Sequence, residues 1–397
     1  MPNTILTVNQ ITRKALMILH AKMSFIANVN KQYDDSFAKT GAKIGDSLRV
    51  RLPNEYTVRS GMNMAVQDTV ETSVTLPVAN VLGVDLNFES TELTLSLDDF
   101  SERILEPAIS VLAANVEGQY FASMYKQVAN VVDADATAFG FDQLTDAREL
   151  LTTNLAPPAK RAVVLTPSHV TKYMKDTKGL FHAGDNIRNQ YVEGEIDRTQ
   201  GFSIFENTLL GVHTTGTAAK TTGYTVNGAN QTGSSVVVQT GATTFNAGDV
   251  ITFANVFAVH PETKASTGAL KQFVVTANYV GGAGSLQISP AIVTTGGKQN
   301  VSGSPANAAA IVKVGAGASE LMTNSLAFYR DAFTFATADL VLPKGVDFAA
   351  REVMDGISMS IVRDFTITDR KFPCRVDVLW GGVATRPQLA TRIHADG

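Results

Sequence analysis

The spacing of apolar residues changes within the first 64 residues of the chain. In residues 7–32, apolar side chains recur at three- and four-residue intervals, which predicts an amphipathic helix. Residues 33–64 are polar, and only Ser47 to Leu52 alternate as a strand would. Because this polar stretch has too few apolar side chains to form its own core, it predicts a long arm or a two-stranded loop that a partner must order.

The longest helical pattern follows two strand-like runs in residues 70–95. It starts near residue 96, with acids in its first turn, and continues to about Asn130. Pro107 and Gly118 are tolerated interruptions of the pattern. A helix of this length would span about 45–50 Å. The pattern therefore favours the spine of a flat subunit over an element of a compact domain.

The remaining two thirds of the chain divide by composition. Residues 141–216 alternate between helical and strand patterns, which predicts an α/β region. From about Thr215 to Gly317, short apolar runs are separated by Gly, Asn or Pro, and charges are few. This part predicts an all-β unit inserted into the α/β region. From Ser319 onward the mixed pattern resumes and ends in strand-like runs.

Composition and charge narrow the class of protein. Charged residues make up 18% of the 397 residues, below the roughly 25% of an average soluble protein. This favours either a sheet-rich protein that buries its surface against its own copies or a Thr/Ser/Gly-rich extracellular β protein. The net charge of −4 provides no basic field that would draw the chain onto nucleic acid.

The sequence predicts a cytoplasmic protein. Cys374 is the single cysteine, which excludes an internal disulfide framework and fits a reducing compartment. The N-terminus has no basic segment before its apolar residues, so no signal peptide is expected. No apolar run approaches the about 18 residues that a membrane span requires.

Sequence motifs for catalysis or cofactor binding are absent. The six histidines do not lie at zinc-ligand spacing, and no Gly-x-Ser-x-Gly elbow occurs. The glycine run at 281–284 lacks the Lys-Ser/Thr of a phosphate loop. Cys374 lies in an apolar strand pattern, which predicts an inert thiol. We therefore predict no catalytic, cofactor-binding or metal-binding residue and no enzymatic activity.

Charge is distributed unevenly along the first third of the chain. Residues 1–61 carry nine Lys/Arg against four Asp/Glu, whereas residues 85–117 carry one Arg against eight acids. We hypothesise that the basic arm and loop of one subunit lie over the acidic helix of a neighbour. The candidate interface residues are Arg49, Arg51, Arg59, Asp98, Asp99, Glu102 and Glu106.

The order of these parts resembles that of a known family. It is similar to the tailed-phage major capsid proteins of the Hong Kong-phage fold, and most similar to the coat protein of the short-tailed Salmonella phages, which carries an inserted β-barrel. The resemblance rests on LWGGVATRP at 379–387, LDDF at 97–100, LTPS at 165–168 and FNAGDVITFANV at 245–256. The chain departs from that type in being shorter and in having Asn255 where the type has Gly.

The resemblance implies an α+β fold with a long spine helix, an extended loop, axial and peripheral domains and an inserted all-β barrel. The implied divisions are an N-terminal arm (1–45), an extended loop (46–80), a peripheral domain with the spine helix (81–130), an axial domain (131–214), the inserted domain (215–317), an axial return (318–350) and peripheral C-terminal strands (351–397).

The resemblance also implies a function. The chain would self-assemble through pentamers and hexamers into the icosahedral shell around a double-stranded DNA genome, which it would meet on the inner face without base-specific contacts. A scaffolding protein and a portal would assist assembly in the host cytoplasm, a decoration protein could bind the shell, and no membrane is involved. The alternatives are a tail-tube or decoration protein, a β-rich surface-binding protein, or a polysaccharide hydrolase.

Overall fold

The structure is a computed structural model of the chain. It describes residues 15–17, 19, 23–34, 47–59, 61–64, 66–69, 71–89, 106–177, 198–354, 356–368 and 371–396. Contacts divide the chain into two compact units. The first comprises Met1–Val50, Ser73–Tyr120 and Phe333–Thr385, and the second comprises Arg51–Thr72, Phe121–Ala332 and Arg386–Gly397.

Strands predominate among the described elements. The helices with described bounds are α1 (Ser24–Ala27), α2 (Glu106–Tyr125), α3 (Phe141–Thr153) and α4 (Pro167–Thr177), and residues 15–17 and 19 are also helical. The strands are β1 (Asn30–Asp34), β2 (Ser47–Arg51), β3 (Ser73–Glu89), β4 (Val131–Ala138), β5 (Arg161–Leu165), β6 (Arg198–Thr199), β7 (Phe202–Glu206), β8 (Val212–Thr214), β9 (Thr221–Val226), β10 (Gly233–Gln239), β11 (Val250–Val259), β12 (Ser266–Val275), β13 (Gly284–Ile292), β14 (Ala310–Lys313), β15 (Leu321–Tyr329), β16 (Thr334–Ala338), β17 (Phe348–Met354), β18 (Ile357–Arg363), β19 (Lys371–Val383) and β20 (Ala390–Asp396).

In the first unit, β19 organises a mixed sheet. β3 pairs antiparallel with β19 from Lys371 opposite Glu89 to Gly381 opposite Val78. β16 and β18 also pair with β19, while β17 adds to β18 and β2 adds to β3. β1 joins β16 in parallel. The sheet therefore unites segments from both ends of the sequence.

Aromatic packing holds α2 against this sheet. The ring of Tyr120, on α2, lies 5.1 Å from that of Phe335 and 6.2 Å from that of Trp380. Phe25, on α1, lies 5.4 Å from Tyr120 on the same cluster. A Cβ at residue 382 would collide with the Tyr120 ring, so the close approach requires Gly382.

The second unit contains an α/β sheet with the strand order β4-β20-β15-β5-β7-β6, and β8 pairs with β15. β5 and β7 are parallel, as are β4 and β20. Every residue of β5 is buried, which explains its nearly continuous apolar sequence, RAVVL. α3 and α4 precede and follow β5 in the chain, as the alternating pattern predicts.

Strands β9 to β14 form a closed barrel in the order β10-β13-β12-β11-β14-β9. Alternate residues point inward: Thr222, Tyr224 and Val226 of β9 are buried, while Thr221 and Gly223 are exposed. The aromatic side chains in the barrel core include Phe245, Phe253 and Phe273. The predicted all-β unit is therefore a closed barrel with its own core.

The predicted N-terminal helix is wrong at its C-terminal end. α1 ends at Ala27, and β1 follows where the spacing predicts another helical turn. The backbone N–H of Asn30 donates to the carbonyl of Phe333 (3.1 Å), and β1 then pairs along the whole of β16. Long-range strand pairing has overridden the local helical spacing.

Two further boundaries differ from the sequence prediction. α2 ends at Tyr125, because Gln127 and Val128 donate to the carbonyls of Met124 and Tyr125 in tight turns (3.0 and 3.1 Å). The two strand-like runs of residues 70–95 form the single strand β3, since β19 pairs with it continuously apart from one bulge. The predicted start of the long helix lies outside the described residues.

Candidate functional site

The segment between β2 and β3 is a hairpin loop, residues 52–72, that is held together by its own polar side chains. Leu52 donates its backbone N–H to the carbonyl of Thr72 (2.8 Å). Farther out, the side-chain oxygen of Gln67 accepts from the N–H and hydroxyl of Thr57 (2.9 and 3.0 Å), and its NH₂ donates to the Thr57 carbonyl (2.5 Å). The Gln67 side chain thus takes the place of a backbone hydrogen-bonded pair between the two sides of the loop. These bonds give the hairpin loop a defined shape without a hydrophobic core.

Arg59 closes the tip of this loop. Its guanidinium donates to the carbonyls of Gly61 and Asn63, the latter at 2.7 Å. Gly61 has φ 98°, a conformation that favours glycine. Arg59 is exposed, but its hydrogen bonds give it a structural role in the turn.

The tip of the hairpin loop presents apolar side chains to solvent. The exposed fractions are 96% for Val58, 98% for Met62, 81% for Met64 and 77% for Val66. An apolar group with this exposure is typical of a protein–protein contact. Polar and charged residues dominate the sequence of this segment, so its exposed apolar tip was not predicted; the two-residue spacing from Met62 to Val66 was the available signal.

The predicted basic residues lie on the same loop and its base. Arg49 is exposed on β2, and Arg51 forms an ion pair with Glu71 (3.5 Å), both side chains being largely exposed. An exposed pair of this kind contributes little to stability. The structure therefore gives Arg51 an acidic partner within its own loop.

On the acidic side, Glu106 is exposed at the described start of α2. Asp98, Asp99 and Glu102 lie outside the described residues. The proposed charge pairing between subunits therefore stays a prediction.

Glu117, another acid of the same run, is fully buried. Its carboxylate accepts from the backbone N–H of Phe25 (2.6 Å) and the hydroxyl of Ser24 (3.4 Å). Glu117 therefore fixes the first turn of α1 and does not belong to a solvated acidic face. Only the tertiary contact reveals this, since its sequence position is compatible with either role.

Asp85, on β3, faces a basic residue of the neighbouring strand. It pairs in register with Arg375, which also contacts Asp377 (Nε to Oδ2, 2.6 Å). The hydrogen bond and charge of Asp377, together with Asp85, raise the pKa of Arg375. Gly83 leaves room for the Asp377 carboxylate, because a Cβ there would collide with Oδ1.

A buried polar cluster lies where the barrel joins the α/β sheet of the second unit. The Asp249 carboxylate contacts His213 Nε2 (2.7 Å) and accepts from the backbone N–H groups of Gly216 (3.0 Å) and Asn246 (2.9 Å). Arg392, on β20, donates to the carbonyl of Gly248 (2.9 Å). These hydrogen bonds hold the segment that enters the barrel, at His213 and Gly216, against the start of β11.

Two charged groups in or near this cluster have shifted pKa values. Burial lowers the pKa of Arg392 to about 10, against the opposing effects of Tyr125 and Asp249. For Asp133, burial acts to raise the pKa, but the hydrogen bonds from His394 and the Gly315 N–H outweigh it, and the pKa is lowered. The positions of these groups support an anchoring role.

Metal-binding and membrane-spanning features are absent from the described residues. Within them, no three His, Cys, Asp or Glu side chains are arranged to hold a metal ion. Within the same ranges, no helix has both the length and the apolarity to cross a membrane. Cys374 is buried, and burial raises the pKa of its thiol to about 11.

A comparison with known protein families identifies the family of this chain. The model of the family described as P22 coat protein, gene protein 5, matches residues 6–392. The chain belongs to the P22 coat protein family. It is therefore a major capsid protein that forms the shell of a bacteriophage particle, and its place is the virion capsid. The family is one of structural capsid proteins and not an enzyme class, and its members associate with their own copies into capsomers.

Several solved structures are similar to this chain. One from Mycobacterium phage Che8 is 11% identical and aligns 91% of this chain with 88% of its own at a TM-score of 0.45. The capsid of cyanophage P-SCSP1u is 10% identical over 93% and 87% of the two chains, also at 0.45. The CUS-3 coat protein I-domain is 26% identical over 23% of this chain and 96% of that one, at 0.20. No curated protein sequence matches the chain.

The P22 coat protein family assignment confirms the main predictions made from the sequence. The α+β capsid fold with an inserted closed barrel and the capsid function are both as expected. The assignment rests on the family match, which spans nearly the whole chain.

Proposed function

We propose that this coat protein assembles through pentamers and hexamers into an icosahedral shell around double-stranded DNA, and that it catalyses no reaction. A scaffolding protein and a portal would assist assembly in the host cytoplasm, and a decoration protein could bind the finished shell. DNA would lie against the inner face through non-specific contacts. The family supports these roles, because a shell protein of this kind must be guided to a closed size and then filled.

We also propose the domain roles stated from the sequence. The regions 131–214 and 318–350 would form the axial domain, and 81–130 and 351–397 the peripheral domain. Residues 1–45 would form the arm, 46–80 the extended loop and 215–317 the inserted domain. The closed barrel formed by β9 to β14 supports the last of these assignments.

The hairpin loop (residues 52–72) is proposed to contact a neighbouring subunit. The observation that carries this proposal is the exposure of Val58, Met62, Met64 and Val66 at its tip. Methionine side chains are flexible and polarizable, so they adapt to slightly different neighbours. Such adaptability suits a subunit that occupies several positions in one shell. Arg49 and Arg51 at the base would add charge complementarity with Asp98, Asp99, Glu102 and Glu106 of the neighbour.

The test compares shell formation by wild type and a Met62→Asp/Met64→Asp variant, using sedimentation and negative-stain microscopy. We expect about tenfold fewer shells, because carboxylates replace apolar contact surface at a desolvated interface. The thermal unfolding of the free subunit should not change, since both side chains are exposed. Val280→Asp, at an equally exposed apolar residue of the barrel, is the matched control and should assemble normally. Normal shells from the double variant would refute the role of the tip.

The contribution of charge is tested separately by Arg49→Glu/Arg51→Glu. Arg59 is left intact because it holds the tip of the hairpin loop. We expect fewer shells and a stronger dependence on salt concentration, since like charges would then face each other across the interface. Unchanged assembly at low salt would eliminate the pairing hypothesis.

A further inference from the structure

A cleft of about 410 Å³ opens at the C-terminal end of α3. Its walls are formed by Arg148 on α3, by Leu155, Pro157 and Pro158 of the connecting loop, and by Arg161 at the start of β5. The charged side chains that line it are both arginines. The cleft therefore combines an apolar wall with two positive charges.

Arg161 is held rigidly in this wall. It is 5% exposed, and it donates from Nε to the Pro157 carbonyl (2.9 Å), from Nη1 to the Thr152 hydroxyl (3.1 Å) and from Nη2 to the Ala156 carbonyl (2.5 Å). Burial lowers its pKa, and the charge of Arg148 lowers it further. In the part of the chain that the structure describes, neither arginine forms an ion pair with a carboxylate. No acid among the described residues thus neutralises the positive charge of the cleft.

The opposite situation occurs on the adjacent face of α3. Asp142, Asp146 and Glu149 are exposed and spaced by four and three residues, so their side chains form one acidic stripe. Burial raises the pKa of Asp146, and the charges of Glu149 and Asp142 raise it further. None of the three forms an ion pair with a described basic residue.

Within one chain, the two groups of charge form no ion pair with each other among the described residues. Arg148 and Glu149 are neighbours in sequence, but consecutive residues of a helix point about 100° apart. Arg148 instead shares its face with Thr152, four residues on. A rigid helix therefore presents an unpaired acidic stripe and an unpaired basic cleft side by side.

We propose that the Arg148/Arg161 cleft receives the acidic stripe Asp142/Asp146/Glu149 of a second copy of this chain. The contact is head-to-tail, because the donor and acceptor surfaces differ, and such a contact generates a ring when the rotation between copies closes. Arg148, the exposed arginine of the cleft, suits this task because its planar guanidinium forms paired hydrogen bonds with a carboxylate, while the buried Arg161 adds its charge. The inference rests on the assembly of the chain into shells and names one surface by which copies recognise each other.

The experiment exchanges the two charges. Arg148→Glu and Asp146→Arg are made singly and together in the full-length chain, under conditions in which wild type forms shells. Both residues are exposed, so melting temperatures should stay close to that of wild type. Each single variant should form about tenfold fewer shells, because like charges then meet at the contact. The double variant, whose net charge equals that of wild type, should restore assembly.

Four results would overturn the inference. One is normal assembly of both single variants, which would leave the capsid role of the chain intact. Another is failure of the double variant to restore shells. A third is loss of shells with Arg148→Glu alone, which would indicate that the cleft binds an acidic group from a different molecule.

Lys344→Glu, a reversal at an exposed loop residue, controls for net charge, and an equal loss there would also count against the inference. Should either reversal lower the melting temperature, Arg148→Ala and Asp146→Ala replace the reversals and should still reduce assembly.

Discussion

At the scale of single residues, polar groups are buried where the chain must change direction. Glu117 fixes α1 through the backbone N–H of Phe25, and Asp249 gathers two backbone N–H groups and His213 at the base of the barrel. Each carboxylate supplies acceptors for donors that would otherwise be buried without a partner. Their effect is to join separate segments of the fold.

Replacing Asp249 by alanine should therefore be costly. We expect the free energy of unfolding to fall by about 2–4 kcal/mol, because the substitution leaves the N–H groups of Gly216 and Asn246 buried without this acceptor. Urea unfolding followed by circular dichroism measures the change. Glu262→Ala, at an exposed residue of the same barrel, should change it by less than about 0.5 kcal/mol. Equal effects of the two substitutions would contradict the anchoring role.

Cys374 gives a prediction for the dependence of stability on pH. Burial raises its pKa to about 11, against a smaller opposing effect of Arg363, whereas a thiol in the unfolded chain titrates near about 8.5. The folded state therefore retains the proton longer. Its contribution to stability is complete below about pH 8.5 and is lost as the pH rises towards 11. Cys374→Ala should reduce the loss of stability between about pH 8 and 10, measured by urea unfolding; an identical loss would refute it.

At the scale of elements, some glycines allow two strands to pack closely, whereas others could be replaced without a collision. Gly118 lies inside α2, and outside the helix's own nearby backbone no described atom lies within 4 Å of the point that an alanine Cβ would occupy, whereas a Cβ at residue 83 would lie 2.8 Å from the carbonyl of Val376. The first position only weakens the helix. Gly83 allows β3 to approach β19 at a position that the Asp377 carboxylate also occupies.

Alanine substitutions should separate these two cases. Gly118→Ala should raise the free energy of unfolding by about 0.5–1 kcal/mol, because alanine loses less backbone entropy in a helix. Gly83→Ala should lower it by about 1–3 kcal/mol, because β3 or the Asp377 side chain must move. Both residues belong to the first unit, so one thermal unfolding assay serves as readout and each variant is the control for the other. A destabilised Gly118→Ala would contradict the open space around it.

At the scale of the whole molecule, the barrel is connected to the rest of the chain through two adjacent strands. Thr215 donates its N–H to the carbonyl of Glu320, and Ser319 donates to that of Gly216, both at 2.9 Å. β8 and β15 continue this pairing away from the barrel. A closed barrel also leaves no free strand edge. These features are those of an inserted domain with one covalent connection, beside which the Gln272 side chain on β12 also forms hydrogen bonds with the backbone of Val131 (2.8 and 2.9 Å).

The barrel excised as residues 216–319 should therefore fold by itself. We expect a β-rich circular dichroism spectrum and one cooperative unfolding transition, because the buried core lies within the barrel. Phe253→Ala in this fragment should lower its stability by about 3–5 kcal/mol, since Phe253 is fully buried. Gradual unfolding without a transition would show that the barrel depends on the remainder of the chain.

The sequence predicted whether a segment is a helix or a strand better than it predicted which segments pack or pair with each other. The helical spacing of α2 and the alternation in the barrel strands are local, so they survive in any fold that buries one face. The end of α1, the continuity of β3 and the membership of Glu117 in the core depend on residues far away in sequence.

The sequence by itself determined the composition of this coat protein, its order of helical and strand segments, and the matched segments that indicate its family. It also determined which charges exist on the loop and the long helix. Only the tertiary structure decided what each side chain faces. Arg59 is used within the hairpin loop, Glu117 is buried, and the tip of the loop exposes apolar groups. The physical reason is that burial and pairing depend on long-range contacts, which spacing along the chain does not record.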